Sequence, residues 1–307
     1  MTLTISAPGS VGNLGPGFDV LGAAVSPRIV LHCEPAEHFS LENRSLKATD
    51  AGGQGSSPAG TRTREDLVET TIVSAFRELQ MELPGFAITV ESEIPFDAGM
   101  GSSAAALVCA FAAVAAMQGQ TIDRDVIFHR AAQTEGHPDN VAAAVYGGIT
   151  IAPSGGNPAR IEPVPDLSVV IFVPEMSLPT KAARAVLPPT VDRAAAVHNL
   201  GNTALLVWAL LTNQNGRLRQ ALEDRLHQDA RYGLYPFVPG IMRAATAAGA
   251  LGACLSGAGP SVCALVTGGV DRVAAAMEEQ GRATGTRGRA IHCQIDRPGL
   301  TVQGELV

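Results

Sequence analysis

The sequence predicts an α+β fold. Apolar residues make up 46% of the 307 residues and charged residues 17%, so the chain can bury one large domain or two ordinary ones. Strand and helix patterns follow one another without the regular β-α alternation of a doubly wound parallel sheet. Glycine-rich turns interrupt the patterns at three places. These observations together favour a mixed fold with three prominent glycine turns.

The first half of the chain combines strands, a glycine-rich loop and helices. Short apolar runs predict strands at 3–7 and 28–34, and the loop between them covers 8–22. Turn formers at 49–61 predict a flexible insert. The elements expected after the insert are a helix at 64–80, a strand around 86–90, an alanine-rich helix after a second glycine turn, a helix at 123–135 and a strand at 147–152.

A cluster of turn formers at 154–157 divides the chain into an N-terminal domain of residues 1–155 and a C-terminal domain of residues 156–307. No internal repeat is evident. The strands expected in the second half lie at 168–173, 251–255, 262–266 and 290–295, and the helices at 180–186, 192–211, 236–248 and 270–280.

Charge and composition exclude several classes of protein. The net charge of −7 gives no basic field for nucleic acid, so no nucleic-acid partner is expected. The apolar run at 104–117 is too short to span a bilayer, and the N-terminus lacks the pattern of a signal peptide, so no membrane partner is expected. Five cysteines match no zinc spacing and indicate reduced thiols. We expect a cytoplasmic protein.

The middle glycine turn, PFDAGMGSSAAA at 95–106, combines features of a phosphate-binding loop. It follows a strand and opens a helix, so its backbone N–H groups and the helix N-terminus can face a polyphosphate. Ser102 and Ser103 add hydroxyl groups for phosphate oxygens or a metal ion. A serine-capped structural turn is the alternative. The phosphate loops of P-loop proteins, Rossmann proteins and protein kinases are absent from the sequence.

The other two turns are less specific when taken alone. The first, PGSVGNLGPGFD at 8–19, holds Asn13 and Asp19 among glycines, where they either bind a small polar substrate or adopt left-handed turn geometry. The third, LSGAGPS at 255–261, brings Gly259 close to a ligand or forms an ordinary turn between two strands.

In this order the three turns resemble those of the GHMP small-molecule kinases, and the resemblance covers most of the chain. It implies a two-domain fold with an N-terminal domain like the second domain of ribosomal protein S5 and a ferredoxin-like C-terminal domain. It also implies ATP and Mg²⁺ as cofactors, and a homodimer. Within the superfamily, NLGPGFD at 13–19 and EGHPDN at 135–140 resemble the homoserine kinase branch. That branch phosphorylates the side-chain hydroxyl of L-homoserine to give O-phospho-L-homoserine for threonine biosynthesis.

The resemblance also implies roles for individual residues. ATP would be bound by Pro95, Gly99, Met100, Gly101, Ser102, Ser103 and Ala104. Mg²⁺ would be held by Ser102 or Ser103 and by Glu135, because Gln133 replaces a glutamate found in many relatives. The substrate would contact Asn13, Asp19, His137, Asp139, Arg184, Arg231 and Gly259, with the two arginines on its carboxylate.

The general base is left open by the sequence. Asn140, Asp139 and His137 are the candidate catalytic residues. Either the hydroxyl proton passes to the transferred phosphate while Asn140 positions the nucleophile, or His137 accepts it. Two other functions are also left open. One is phosphorylation of another small alcohol, such as mevalonate, a sugar or pantoate, and the other is catalytically silent ATP binding.

Overall fold

The computed structural model describes residues 2–44, 64–95, 98–162 and 166–304. The α+β class is confirmed, since these residues form two β-sheets with helices packed against them. The insert predicted at 49–61 and the Asp97 position lie outside the described residues.

The larger sheet has seven strands. They are β1 (Leu3–Gly12), β2 (Leu21–Pro35), β3 (Ser40–Asn43), β4 (Phe86–Ser92), β5 (Ile149–Ile151), β6 (Ala159–Ile161) and β11 (Thr301–Gln303). The order across the sheet is β11-β1-β2-β4-β3, while β5 pairs with the start of β2 and carries β6. β3 and β4 run parallel, and the other pairs are antiparallel.

Four helices pack in the N-terminal half: α1 (Arg64–Glu78), α2 (Ser102–Met117), α3 (Arg124–Glu135) and α4 (Asp139–Tyr146). α2 and α4 contact β1 and β2 directly, and α1 and α3 pack against α2. Residues 104–110 of α2 are all buried, because their mostly small side chains allow neighbours to approach from every side. α2 is therefore the central helix of this half.

The β1–β2 hairpin is longer than the sequence predicted. Residues 8–12 and 21–22 were expected in a loop, but they pair as strands with a register shift between Pro8 and Gly9. The glycines there make room for α4. An added Cβ at Gly22 would overlap the carbonyl oxygen of Asp139, and one at Gly12 would lie 2.5 Å from the Asp139 carboxylate. Only residues 13–20 form the turn.

The smaller sheet is antiparallel and has the order β10-β7-β9-β8. Its strands are β7 (Ser168–Pro174), β8 (Gly252–Leu255), β9 (Val262–Val266) and β10 (Gly288–Gln294). Two helices pack on it, α9 (Val238–Ala247) and α10 (Val270–Ala283). All six elements lie within a few residues of their predicted positions.

Four further helices cross between β7 and α9: α5 (Thr180–Ala185), α6 (Arg193–Leu211), α7 (Leu218–Ala221) and α8 (Gln228–Tyr232). α7 and α8 were not predicted, because four or five residues are too few to show a helical period. α6 is long and apolar enough to cross a membrane by length and composition alone, and 33% of that stretch is buried in the fold. Core helices of other folds meet the same criterion, so it is weak evidence for a membrane span.

The predicted division at residue 155 is not followed by the sheets. β6 lies beyond it but pairs with β5 in the larger sheet, and β11 returns there from the C-terminal end. Arg28 in β2 holds this returning segment through an ion pair with Asp296 and a hydrogen bond to the carbonyl of Gly299. The C-terminal segment is thus joined to the N-terminal half.

Candidate active site

The three glycine turns meet at the mouth of one cleft between the two sheets. The Ser256 hydroxyl donates to the carbonyl of Gly99 at 2.7 Å, which joins the third turn to the second. The N–H of Gly257 donates to the carbonyl of Gly12 at 3.1 Å, and Asn13 Nδ2 donates to the carbonyl of Gly257 at 2.8 Å. Turns separated by more than 200 residues therefore build one surface. The cleft encloses about 1000 Å³, including solvent at its mouth.

The middle turn leaves the N-terminus of α2 open to a ligand. Gly99 and Gly101 have φ values of +70° and +64°, a region that side chains rarely adopt. An added Cβ at Gly101 would also overlap the Ser10 hydroxyl. Gly101 is the N-cap residue, and no side chain caps the helix. The first N–H groups of this 16-residue helix are therefore available to an anion.

The EGHPDN segment spans the junction of two helices. Gly136, with φ of +85°, ends α3, and Pro138 is the N-cap residue of α4. Glu135 at the end of α3 accepts a hydrogen bond from the Ser103 hydroxyl at 2.5 Å. Gln133, two residues earlier, is exposed and does not line the cleft. The carboxylate facing the phosphate loop is therefore that of Glu135, and its hydroxyl partner is Ser103 rather than Ser102.

His137 lies between two carboxylates. Its Nε2 is 3.8 Å from Glu135 Oε1, and its Nδ1 is 3.3 Å from Asp139 Oδ1. Burial lowers the pKa of His137, but Asp139 and Glu135 outweigh burial and raise it above its ordinary value. Burial raises the pKa of Asp139, but His137 and the N–H groups of Asn13 and Asn140 outweigh burial and lower it. The two groups therefore favour each other's charged forms, the protonated imidazole of His137 and the ionised carboxylate of Asp139.

Asn140 is oriented by a serine on β1. The Ser10 hydroxyl donates to Asn140 Oδ1 at 2.9 Å, and both residues are buried. Because Oδ1 is engaged by Ser10, the amide Nδ2 remains as the group that a ligand can meet in the cleft. The predicted catalytic asparagine is thus held by contacts with the first glycine turn.

Asn13 and Asp19 both adopt left-handed turn geometry, and Asn13 also lines the cleft. Their φ values are +65° and +54°, and the N–H of Asp19 donates to Asn13 Oδ1 at 3.0 Å. The N–H of Asn13 also donates to Asp139 Oδ2 at 2.8 Å. The left-handed geometry and the position at the cleft, which were alternative interpretations of the sequence, therefore occur together at Asn13.

The two predicted arginines lie side by side around Phe18. Arg184 forms a bidentate pair with Asp19, at 2.5 and 3.1 Å, and Asp19 raises the pKa of Arg184. Arg231 is buried and donates from Nε to the carbonyl of Ala183 at 3.1 Å. The guanidinium carbons of Arg184 and Arg231 lie 5.6 and 5.8 Å from the centroid of the Phe18 ring. This end of the cleft concentrates positive charge suited to a carboxylate.

Most of the predicted site residues line this one cleft. The exceptions are Pro95, Ala104 and Asp19: Ala104 is buried within α2, and Asp19 lies behind Arg184. Ser10, Phe18, His227 and Ser256 were not predicted, although each contacts a predicted residue. Ser10 and Phe18 lie within the glycine turn at 8–19, so their closeness in sequence to Asn13 and Asp19 could have indicated that they belong to the site. Nothing in the sequence pointed to His227.

The fold and the arrangement of turns define a small-molecule kinase of the GHMP type. The family model for the GHMP kinase N-terminal domain matches residues 66–148, and the model for the GHMP kinase C-terminal domain matches residues 206–283. These matches confirm the resemblance inferred from the three turns, and membership in a kinase family implies the use of ATP.

Full-length relatives narrow the assignment. The chain is 35% identical over 302 residues to the homoserine kinase of Desulfitobacterium hafniense, covering 97% of this chain and 99% of that protein. It is 35% identical over 311 residues to the homoserine kinase of Deinococcus radiodurans, covering 98% and 96%. The chain therefore belongs to the homoserine kinase family.

Solved structures agree with this fold. The crystal structure of homoserine kinase from Cytophaga hutchinsonii superposes with a TM-score of 0.83 at 28% identity, covering 98% of this chain and 97% of that one. The structure of mevalonate kinase from L. major has a TM-score of 0.66 at 16% identity and covers 95% and 96%, so it shows the shared fold alone.

Proposed function

We propose that the protein is a homoserine kinase. It transfers the γ-phosphate of ATP to the side-chain hydroxyl of L-homoserine, giving O-phospho-L-homoserine and ADP, a step in threonine biosynthesis. The observation that carries the proposal is the cleft itself, which joins an open helix N-terminus to a pair of arginines. The first suits a polyphosphate and the second suits the carboxylate of an amino acid.

ATP is held by the middle turn in this proposal. The N–H groups at the start of α2 donate to phosphate oxygens, and the helix dipole adds positive potential. Gly99 lets the third turn pack against the second, because a Cβ at this position would lie 2.5 Å from the carbonyl oxygen of Ser256. Leu67 on α1 also lines the cleft and supplies an apolar contact for the nucleotide.

Mg²⁺ fits the pair formed by Ser103 and Glu135. A hydroxyl and a carboxylate 2.5 Å apart are hard oxygen ligands of the kind that Mg²⁺ prefers. Among the described residues no cluster of three His, Cys, Asp or Glu side chains could hold a metal ion. Ser103 and Glu135 would hold the ion, which would also need oxygen ligands from bound phosphates. When bound, Mg²⁺ neutralises charge that develops on the phosphate oxygens.

The amino-acid end of the acceptor meets opposite charges already paired with each other. Arg184 and Asp19 form a bidentate ion pair beside the cleft, and Arg231 lies next to them. A zwitterion offers a carboxylate to the arginines, and its ammonium group reaches Asp19 when the Arg184–Asp19 pair opens. Substrate binding then replaces part of this internal ion pair with contacts to the substrate. Asn13 and Gly259 complete this end of the cleft.

In this mechanism the proton of the acceptor's hydroxyl group passes to an oxygen of the transferred phosphate. The acceptor oxygen forms a bond to the γ-phosphorus while the bond between that phosphorus and the β-phosphate oxygen breaks. The lowered pKa of Asp139 makes its carboxylate a weaker base, and the raised pKa of His137 favours the protonated ring, so we assign the proton to the phosphate rather than to either side chain. Asn140, held by Ser10, donates from Nδ2 and positions the acceptor for in-line attack.

A coupled ADP-release assay with Mg²⁺-ATP tests the acceptor. L-Homoserine, mevalonate, galactose and pantoate are compared with a reaction that contains no alcohol. We expect turnover with L-homoserine at a kcat/KM at least about 100-fold above the others. Equal or greater turnover of another alcohol would reassign the protein to a different acceptor within the GHMP kinases.

We also propose a homodimer formed through α6. Leu200 and Leu211 lie about three turns apart on the outward face of α6, and they are 72% and 63% exposed. Trp208 lies on the same face, whereas Leu206 is buried in the core, so the two lie on different faces of the helix. Sedimentation velocity would detect the dimer. Leu200→Glu should give monomers, and Val126→Glu, at an exposed apolar position on α3, should not.

We propose an N-terminal domain of residues 1–155 and a C-terminal domain of residues 156–307, with β6 and β11 extending the larger sheet from beyond the division. A cytoplasmic location is supported by five cysteines that are all buried and free, as expected in a reducing compartment. The net charge of −7 argues against a nucleic-acid partner.

A further inference from the structure

His227 is enclosed between the first glycine turn and Arg231. It precedes α8, its side chain has no solvent exposure, and the Phe18 ring stacks on it at 5.3 Å between centroids. His227 Nε2 lies 2.8 Å from the carbonyl oxygen of Gly15, and Nδ1 lies 2.8 Å from Arg231 Nη1. A carbonyl only accepts and a guanidinium only donates, so the ring carries its hydrogen on Nε2 and is neutral.

The charged groups around the ring agree with this tautomer. They are Asp224, Arg231, Asp19 and, also against Phe18, Arg184. Asp224 is 3.8 Å from Nε2, but Oδ2 of Asp224 already accepts the N–H groups of His227 and Gln228 at 2.9 and 2.7 Å. Burial, together with Arg231, lowers the pKa of His227 despite the opposing effect of Asp224. The ring therefore stays neutral at pH 7.

Arg231 is held at three of its donors. Nε donates to the carbonyl of Ala183 at 3.1 Å, and Nη1 donates to His227 Nδ1 and, at 3.3 Å, to the carbonyl of Gly257. Nη2 has no hydrogen-bond partner among the described residues, and Arg231 lines the cleft. His227 provides the shortest of the three contacts and is the one side chain among them, since the other two partners are backbone carbonyls.

The loop that carries His227 is itself anchored to α6. Asn199, buried in α6, donates from Nδ2 to Asp224 Oδ1 at 2.7 Å and to the carbonyl of Pro16 at 3.0 Å. Its Oδ1 accepts the N–H of Arg225 at 2.8 Å. His227 is thus tied on one side to the first glycine turn and on the other to a long helix, so the position of its ring is well determined.

We propose that His227 is a positioning residue for acceptor binding: as a neutral imidazole it accepts a hydrogen bond from Arg231 and presents Nη2 to the carboxylate of the acceptor. The inference rests on the proposed function, in which Arg231 binds that carboxylate. Protonation of His227 places a donor against Arg231 and a second cation beside it. Affinity for the acceptor therefore falls as the pH drops below the ordinary histidine range.

Two substitutions separate positioning from a merely structural role. His227→Ala removes the acceptor, and we expect KM for L-homoserine to rise about tenfold while KM for ATP stays within about twofold. In His227→Gln the amide can donate to Gly15 and accept from Arg231, so this variant should recover most of the loss. KM for L-homoserine should rise at acidic pH in the wild type and less so in His227→Gln. His292→Ala, which loses a histidine bonded to Ser168 away from the cleft, serves as the control.

Several results would overturn the inference: an unchanged KM for L-homoserine in His227→Ala, equal rises in both KM values, or a His227→Gln variant as impaired as His227→Ala. Absence of L-homoserine turnover in the wild type would instead count against the proposed function. In that case ¹⁵N NMR of the imidazole nitrogens still tests the geometry. A neutral ring protonated at Nε2 at pH 7 supports it, and a ring protonated at Nδ1 or at both nitrogens contradicts it.

Discussion

Removing the Ser10 hydroxyl should lower turnover through the orientation of Asn140. Ser10→Ala deletes a buried hydrogen bond of 2.9 Å to Asn140 Oδ1. A neutral buried hydrogen bond contributes about 1 kcal/mol net. If that free energy now favours the productive amide orientation, its loss lowers kcat about fivefold. Binding of ATP depends on the start of α2 instead, so KM for ATP should change little.

A matched control lies on the same strand. Ser6 is also buried in β1, and its hydroxyl donates to the carbonyl of Ile29 at 3.0 Å and accepts from Arg28 Nε at 2.8 Å, away from the cleft. Ser6→Ala should lose at least as much free energy of unfolding as Ser10→Ala, measured by urea denaturation, without a comparable fall in kcat. Wild-type kcat in Ser10→Ala, or an equal fall in both variants, would show that the Ser10 hydroxyl does not orient Asn140 for turnover.

Three further perturbations address the metal ion, the acceptor and the effect of acid. Glu135→Gln keeps the shape of the side chain but removes the charge that faces Ser103. The value of kcat should therefore fall about 100-fold, and a Mg²⁺ titration should saturate at a higher concentration. An unchanged Mg²⁺ dependence would exclude Glu135 as a ligand. Arg184→Gln should raise KM for L-homoserine about 30-fold and leave KM for ATP alone. It should destabilise the fold little, because its pair with Asp19 is about one-third exposed and solvent screens it. The folded-state pKa of Asp139 lies below its ordinary 3.8, so its ionised form stabilises the protein above that pH, and the stabilisation is lost as the pH falls through the folded-state value. Urea unfolding at pH 7 and at acidic pH should show a smaller acid-induced loss in Asp139→Asn than in the wild type, and an equal loss would show that this carboxylate is not the cause.

Those parts of the site whose residues are neighbours in the sequence could be predicted from the sequence alone. The turn at 99–101 and the start of α2 are specified by neighbouring glycines and serines, because positive φ and open N–H groups are local properties. The strands and helices of the smaller sheet also follow from local patterns of apolar residues.

The choice between Gln133 and Glu135 as the residue that faces the cleft shows where local reasoning was insufficient. Gln133 and Glu135 are two residues apart on α3, so they point about 200° apart around the helix axis. Which of them faces the cleft depends on the rotation of α3 against α2, and that rotation is set by packing. The structure turns Glu135 toward Ser103 and leaves Gln133 exposed.

Long-range contacts account for most of what was missed. Ser10 and Asn140 are 130 residues apart, and Gly15 and His227 are 212 apart. The glycines at 12 and 22 suggested a loop, but they lie in paired strands. Glycine is needed at both positions because α4 packs closely against them. A glycine needed for a turn and a glycine needed for close packing look the same in a single sequence.

Phosphorus NMR of the products formed from Mg²⁺-ATP and L-homoserine tests the proposed phosphoryl transfer directly. We expect equal amounts of ADP and a phosphomonoester whose phosphorus couples to the two protons of the acceptor's terminal methylene group. Formation of inorganic phosphate alone, or no consumption of ATP by demonstrably folded protein, would contradict it.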